Sequence, residues 1–146
     1  MFDCSKRVEK KMTIEELLQT PFWIIDILPA QVPEKSPGQY FAVEKYFLRD
    51  RLLSEIKQKH INTVLKLNCY RDISIDEEKE LNPSPDRVAD QMRNRFMYIM
   101  IGDSMILSEP DDAHMTVFNP DPELLELIRE IAASEGLFVW RPDGDR

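Results

Sequence analysis

Glycine is scarce in this chain, with four in 146 residues at positions 38, 102, 136 and 144. A phosphate cradle needs several glycines close together so that backbone amides can converge on the anion, and this spacing excludes nucleotide binding of that kind. Cysteine is scarcer still: Cys4 and Cys69 are too few for a disulfide framework or a structural zinc site, and neither stands at ligand spacing from His60 or His114. Two free thiols fit a reducing compartment, so a cytoplasmic location is expected, with no metal and no cofactor. No apolar run approaches the roughly 18 residues that span a bilayer, and the charged start lacks the apolar stretch of a secretory signal. Positive charge is also in the minority. Nineteen Lys and Arg against 27 Asp and Glu leave a formal net charge of −8 and a pI near 4.8, which argues against sequence-independent nucleic-acid binding and against attachment to a membrane surface.

What is present is an ordinary globular composition. Hydrophobic residues make up 42% and charged residues 32% of the chain, and the length suits one domain with one core. The charge is unevenly placed. From Asp103 to Glu126 there are seven Asp or Glu and no Lys or Arg, whereas the first eleven residues carry Lys6, Arg7, Lys10 and Lys11. Such acidity serves solubility, and it also suits a basic protein partner. Residues 1–11 read as a flexible polar segment, and 12–146 as the folded domain.

Along the chain, Thr13-Ile-Glu-Glu16 has the form of a capping box and predicts a short helix that stops before Pro21. Phe22 to Leu28 is β-branched and aromatic and predicts a strand. Three prolines and a glycine make residues 29–38 a loop. Apolar residues at 41, 43, 47, 48, 52, 53 and 56 predict one amphipathic helix over 40–59, with Tyr40 to Val43 alternatively a strand, ended at His60-Ile61-Asn62, and Thr63 to Asn68 then predicts a second strand. Residues 71–85 are acidic and rich in turn formers, the best candidate for a mobile loop. Ser84-Pro85 opens a helix to residue 95, Phe96–Ile101 and Ser104–Leu107 form a hairpin about Gly102-Asp103, and His114–Phe118 adds a strand. Asn119-Pro-Asp-Pro122 opens a helix with Gly136 at its stop, and Leu137–Trp140 closes the series. The expected fold is α/β or α+β: one domain with a mixed, largely antiparallel sheet of about five to six strands against about three to four helices.

Gly102-Asp103-Ser104, following an apolar strand, together with Asp111-x-x-His114, resembles the signature blocks of the GDSL hydrolases. That resemblance implies a Ser104 nucleophile and a His114 base, with Asp111 as the acidic partner. In the family the two blocks stand near opposite ends of the domain, whereas here Ser104 and His114 are ten residues apart. The simpler reading is a Gly-Asp hairpin turn followed by a capping hydroxyl. Glu109, Asp111, Asp112 and His114 lack the ligand alternation and central glycine of an EF-hand and read as a solvated turn.

Among single residues, Asp26 inside an apolar strand calls for the surface or for a Lys or Arg partner. His60 suits the C-terminal dipole of its helix. Lys66 falls on the expected second strand and Cys69 near its end, facing a cleft or half exposed, with nothing converging on them. The aromatic residues Trp23, Tyr40, Phe41, Tyr46 and Phe47 read as core, or as the lining of a ligand pocket. With no assembled catalytic set, the leading expectation is a non-catalytic interaction or regulatory protein resembling immunity or inhibitor proteins. Its working surface would be Asp103, Glu109, Asp111, Asp112 and His114, with help from the 71–85 loop, facing a basic protein partner. The alternatives are a small serine hydrolase using Ser104 and His114, and a small-ligand sensor.

Overall fold

The computed structural model describes residues 12–33, 35 and 38–142. The expected flexible segment 1–11 lies outside the described residues. The capping box at Thr13 forms as read. The Thr13 hydroxyl accepts from the Glu16 amide at 3.1 Å, and the Glu16 carboxylate accepts from the Thr13 amide at 3.0 Å, which starts helix α1 (Ile14–Leu17). Strand β1 (Phe22–Asp26) follows. Its alternation sends Trp23 and Ile25 into the main core and leaves Ile24 and Asp26 on the other face.

The helix expected over 40–59 is two helices, α2 (Tyr40–Phe47) and α3 (Asp50–Asn68), separated at Arg49, whose extended backbone turns the chain. Periodicity alone does not reveal this break, because apolar residues continue at helical spacing on both sides of it. The strand expected at 63–68 is absent: α3 runs through that stretch to Asn68. Thr63 to Leu67 alternates like a strand, yet Ile56, His60, Ile61, Val64 and Leu67 also form one helical stripe, and that stripe is the one buried. No glycine or proline stands at 60–62 to stop the helix, so helical burial overrides local β propensity.

Residues 71–85, expected to be a mobile loop, are tied down and contain a strand, β2 (Ser74–Ile75). Asn82, with φ at 54°, is the knot. Its amide donates to the Ile73 carbonyl at 2.7 Å, and its side-chain oxygen accepts from the Ile73 amide at 3.0 Å and from Asn68 at 2.8 Å. Arg87 pairs with Glu78 and Glu80 across the same segment.

The remaining elements follow the expected order. Helix α4 (Pro85–Asn94) is capped by Ser84, and β3 (Met97–Ile101) and β4 (Ser104–Ser108) form the hairpin about Gly102. Strand β5 (Met115–Phe118), helix α5 (Pro122–Ser134) and β6 (Phe138–Trp140) complete the chain. Asp121 caps α5 by accepting from the Leu124 amide at 2.7 Å.

The six strands form one sheet in the order β2-β3-β4-β5-β1-β6, and every neighbouring pair is antiparallel. The architecture is therefore α+β, with five helices among the described residues. Helix α3 packs against α4 and α5 on one face of the sheet, burying Ile61, Val64, Leu67, Met92, Leu124 and Ile128 against Ile25, Ile99, Ile106 and Val117. Each such aliphatic side chain contributes about 1.5–3 kcal/mol when fully withdrawn from water. A smaller cluster on the opposite face seats Leu17 of α1 on Met105 and Phe118.

Candidate functional site

The sheet has two ends, and the chain's polar groups are divided between them. At one end, β1 finishes at Asp26, β4 finishes at Ser108, and β5 begins after His114. The register Ile25 to Met115 places His114 across from Asp26. The turn between β4 and β5 is closed by the Asp112 amide donating to the Glu109 carbonyl at 3.3 Å.

Helix α2 stands over this end. Tyr40, Val43, Glu44 and Phe47 recur at three- and four-residue spacing and so share one face. That face borders a cleft of about 130 Å³ together with Asp26, Ile27, Leu28, Asp112 and His114. No residue of α2 is fully buried, so its inner face lines the cleft instead of entering the core.

The cleft's polar groups are perturbed. Burial raises the Asp26 carboxyl above its usual range, and the Ile27 amide, donating at 2.7 Å, offsets part of that, as do His114 and the Leu28 backbone. The Trp140 indole also favours the Asp26 anion. Trp140 is itself 6% exposed, and its Nε1 approaches the carboxylate without reaching hydrogen-bond geometry. The Tyr40 hydroxyl donates to Glu44 at 3.0 Å, and burial followed by the Glu44 carboxylate raises the phenol's pKa. Among the described residues Asp26 meets no Lys or Arg, and no ion pair reaches Asp26, Glu44 or Asp112.

Behind the turn lies a buried pair from α3. Lys57, 3% exposed, donates to the Glu109 carbonyl and stands 3.0 Å from His60 Nδ1. Burial pushes the Lys57 ammonium down to about 8 against the pull of Asp112, Glu109 and Asp111. Burial, and then the neighbouring Lys57 cation, drive His60 down to about 3. His60 is therefore neutral at physiological pH and accepts from Lys57 through Nδ1, which assigns its proton to Nε2. That Nε2 makes no hydrogen bond of ordinary geometry, although the Ala113 backbone beside it weakly favours the charged ring. The expectation that His60 sits at a helix C-terminus is thereby corrected: it lies inside α3, wholly buried.

The sequence-derived candidates divide between the two ends. Ser104 begins β4 and His114 precedes β5, and with Leu107 opposite Thr116 they fall at opposite ends of the strand pair. At about 3.3 Å per residue the separation is roughly 16 Å, far beyond hydrogen-bond reach. Ser104 is 2% exposed, and its hydroxyl donates to the Asn119 carbonyl at 2.8 Å. Asp103 is likewise at the far end, where its carbonyl accepts from Asn119 at 2.9 Å. Glu109, Asp111, Asp112 and His114 remain together in and beside the β4–β5 turn.

Lys66 and Cys69 lie on helix α3, not on a strand. Lys66 pairs with Glu135 at 2.6 Å, and Cys69 caps the helix, exposed. Among the described residues no three His, Cys, Asp or Glu side chains come close enough to hold a metal ion, and no helix is long and apolar enough to cross a membrane.

Sequence reasoning missed Glu44, Lys57 and the role of His60, whereas Tyr40 and Phe47, read alternatively as the lining of a ligand pocket, border the cleft. One signal was available: Lys57 and His60 interrupt an otherwise apolar stripe, where a charged residue is rarely buried without a partner. Compared with models of known protein families, with curated proteins and with solved structures, the chain matches none.

Proposed function

We propose that this chain is a non-catalytic interaction protein that engages a basic protein partner through the acidic end of its sheet. The observation that carries this reading is the gathering of Glu109, Asp111 and Asp112 beside Asp26 and Glu44 at one end, with no Lys or Arg lining the cleft among the described residues. Lys57 holds the Glu109 carbonyl from behind, so the turn is set before a partner arrives and less ordering entropy opposes binding. Charge complementarity of this kind speeds encounter and discriminates among partners.

The test is capture from a lysate of the producing cells by the wild type and by a folded E109K/D111K/D112K variant, at low and at high salt. A partner held by the wild type at low salt, released at high salt and absent from the variant supports the reading. The same proteins retained by both, or retention indifferent to salt, would overturn it.

A further inference from the structure

Helix α2 presents an apolar wall to the cleft, with none of the described residues packed into the space. Val43, Phe47 and Leu48 face Ile27 and Leu28 across the cleft, and no residue of α2 reaches the core. At about 130 Å³ the space is close to the roughly 150 Å³ engineered cavity that admits one benzene, which is also the scale of a short alkyl chain. Among the described residues its charged lining is mainly acidic: Asp26, Glu44 and Asp112 contribute carboxylates, Tyr40 a hydroxyl and His114 the one basic side chain, and no Lys or Arg borders the space. No Lys or Arg among the described residues pairs with these carboxylates, which stand against an apolar wall, an arrangement complementary to a cation on an aliphatic stem.

A separate observation points the same way. Trp140 Nε1, buried and lacking a hydrogen-bond partner, is directed at the Asp26 carboxylate. An indole N–H donates and cannot accept, so it favours the accepting, anionic form of Asp26 against the burial that raises its pKa.

We propose that the cleft between α2 and the end of β1 binds an alkylammonium group, its stem along Val43, Phe47 and Leu48 and its nitrogen among Asp26, Glu44 and Asp112. On the reading above, from which this follows, the natural source is a lysine side chain of the basic partner.

The probe is n-butylammonium chloride, titrated at constant ionic strength into W23F protein, so that Trp140 is the sole indole, with amide NMR shifts followed in parallel. Expected are a saturable change in Trp140 fluorescence, shifts confined to residues 26–28, 40–48 and 112–114, and about tenfold weaker binding in E44Q and in D112N, the scale of one lost charge-assisted hydrogen bond. 1-Butanol should bind at least about tenfold more weakly on the same ground, and butyrate not at all. No localised shift up to about 100 mM, equal binding of the alcohol, or indifference to both substitutions would overturn the proposal.

The two readings fail separately. Partner capture lost in E109K/D111K/D112K but unchanged in E44Q, with no n-butylammonium binding, sinks the cleft and leaves the acidic surface. n-Butylammonium binding without any salt-sensitive partner leaves the cleft assignment standing and sinks the partner.

Discussion

Burying Lys57 beside His60 makes stability depend on pH in a way that two side chains can be asked to explain. Between about 3 and 6.5 the unfolded chain protonates His60 and the folded chain does not, so stability falls as the pH drops through that window. Lys57 acts in the same sense higher up: between about 8 and 10.5 the unfolded chain holds the proton more tightly, and stability rises as the pH climbs. Glu135 and Asp121 are depressed from 4.5 and 3.8, so their acid losses begin lower. Asp26, raised from 3.8, acts in the opposite sense, so the His60 contribution is read as the difference between wild type and H60Q in thermal melts between about pH 6.5 and 5. The midpoint should fall over this range in the wild type and much less in H60Q, and parallel slopes would show that His60 is not held neutral in the folded state. At the other end of the sheet, S104A removes the bond to Asn119 and should cost about 1 kcal/mol in urea unfolding. Any ester hydrolysis by the protein should be unaffected, since His114 lies far beyond the reach of Ser104.

The break at Arg49 separates two helices that differ in what they bury. Helix α3 buries seven residues, whereas α2 buries none. Backbone protection follows packing, so amides of 43–47 should exchange with solvent well before those of 60–67, measured by hydrogen exchange. Comparable protection would mean that α2 is held by contacts it does not make here. Two turns depend on left-handed backbone. Gly136, at φ +79°, ends α5, and G136A should cost about 1 kcal/mol or more because an alanine is strained there. Asn82 combines a positive φ with a set of hydrogen bonds joining Asn68, Asp72 and Ile73. N82A should cost about 2 kcal/mol in urea unfolding, the penalty of leaving partners of the knot unsatisfied.

At the scale of the molecule, one core runs from α4 through α3 and α5 to β1, and a second, smaller cluster closes the other face around Leu17. Lys59 and Lys66 of α3 both reach Glu135 beyond α5, one through its carbonyl at 2.9 Å and one through its carboxylate. Sheet and helices should therefore unfold together, with far-UV dichroism and tryptophan fluorescence giving coincident urea transitions. Separated transitions would show that the helical layer detaches from the sheet.

The cleft is likewise a property of the whole. It joins the end of β1, the face of α2 and the β4–β5 turn, which are remote in sequence, and the 71–85 segment lies at the opposite edge of the sheet, far from β1. Asp103 and Asp112 belong to one acidic run in the chain yet occupy opposite ends of a strand pair, so the run does not make one surface.

Local signals determined what they physically govern. The Thr13 box, the Ser84-Pro85 and Asp121-Pro122 starts, the Gly102 turn and the Gly136 stop are choices of backbone conformation made within a few residues, and each was readable in the sequence. Where two local patterns competed, as at 63–68, only burial could choose between them, because a helical stripe and a strand alternation are both written in the same residues and packing on the sheet stabilises one. The site belongs to tertiary structure for a related reason. A carboxylate, a turn and a helix face become a cleft only when antiparallel pairing brings separate strand ends together, and that pairing is set by the shared core, not by any neighbour in the chain.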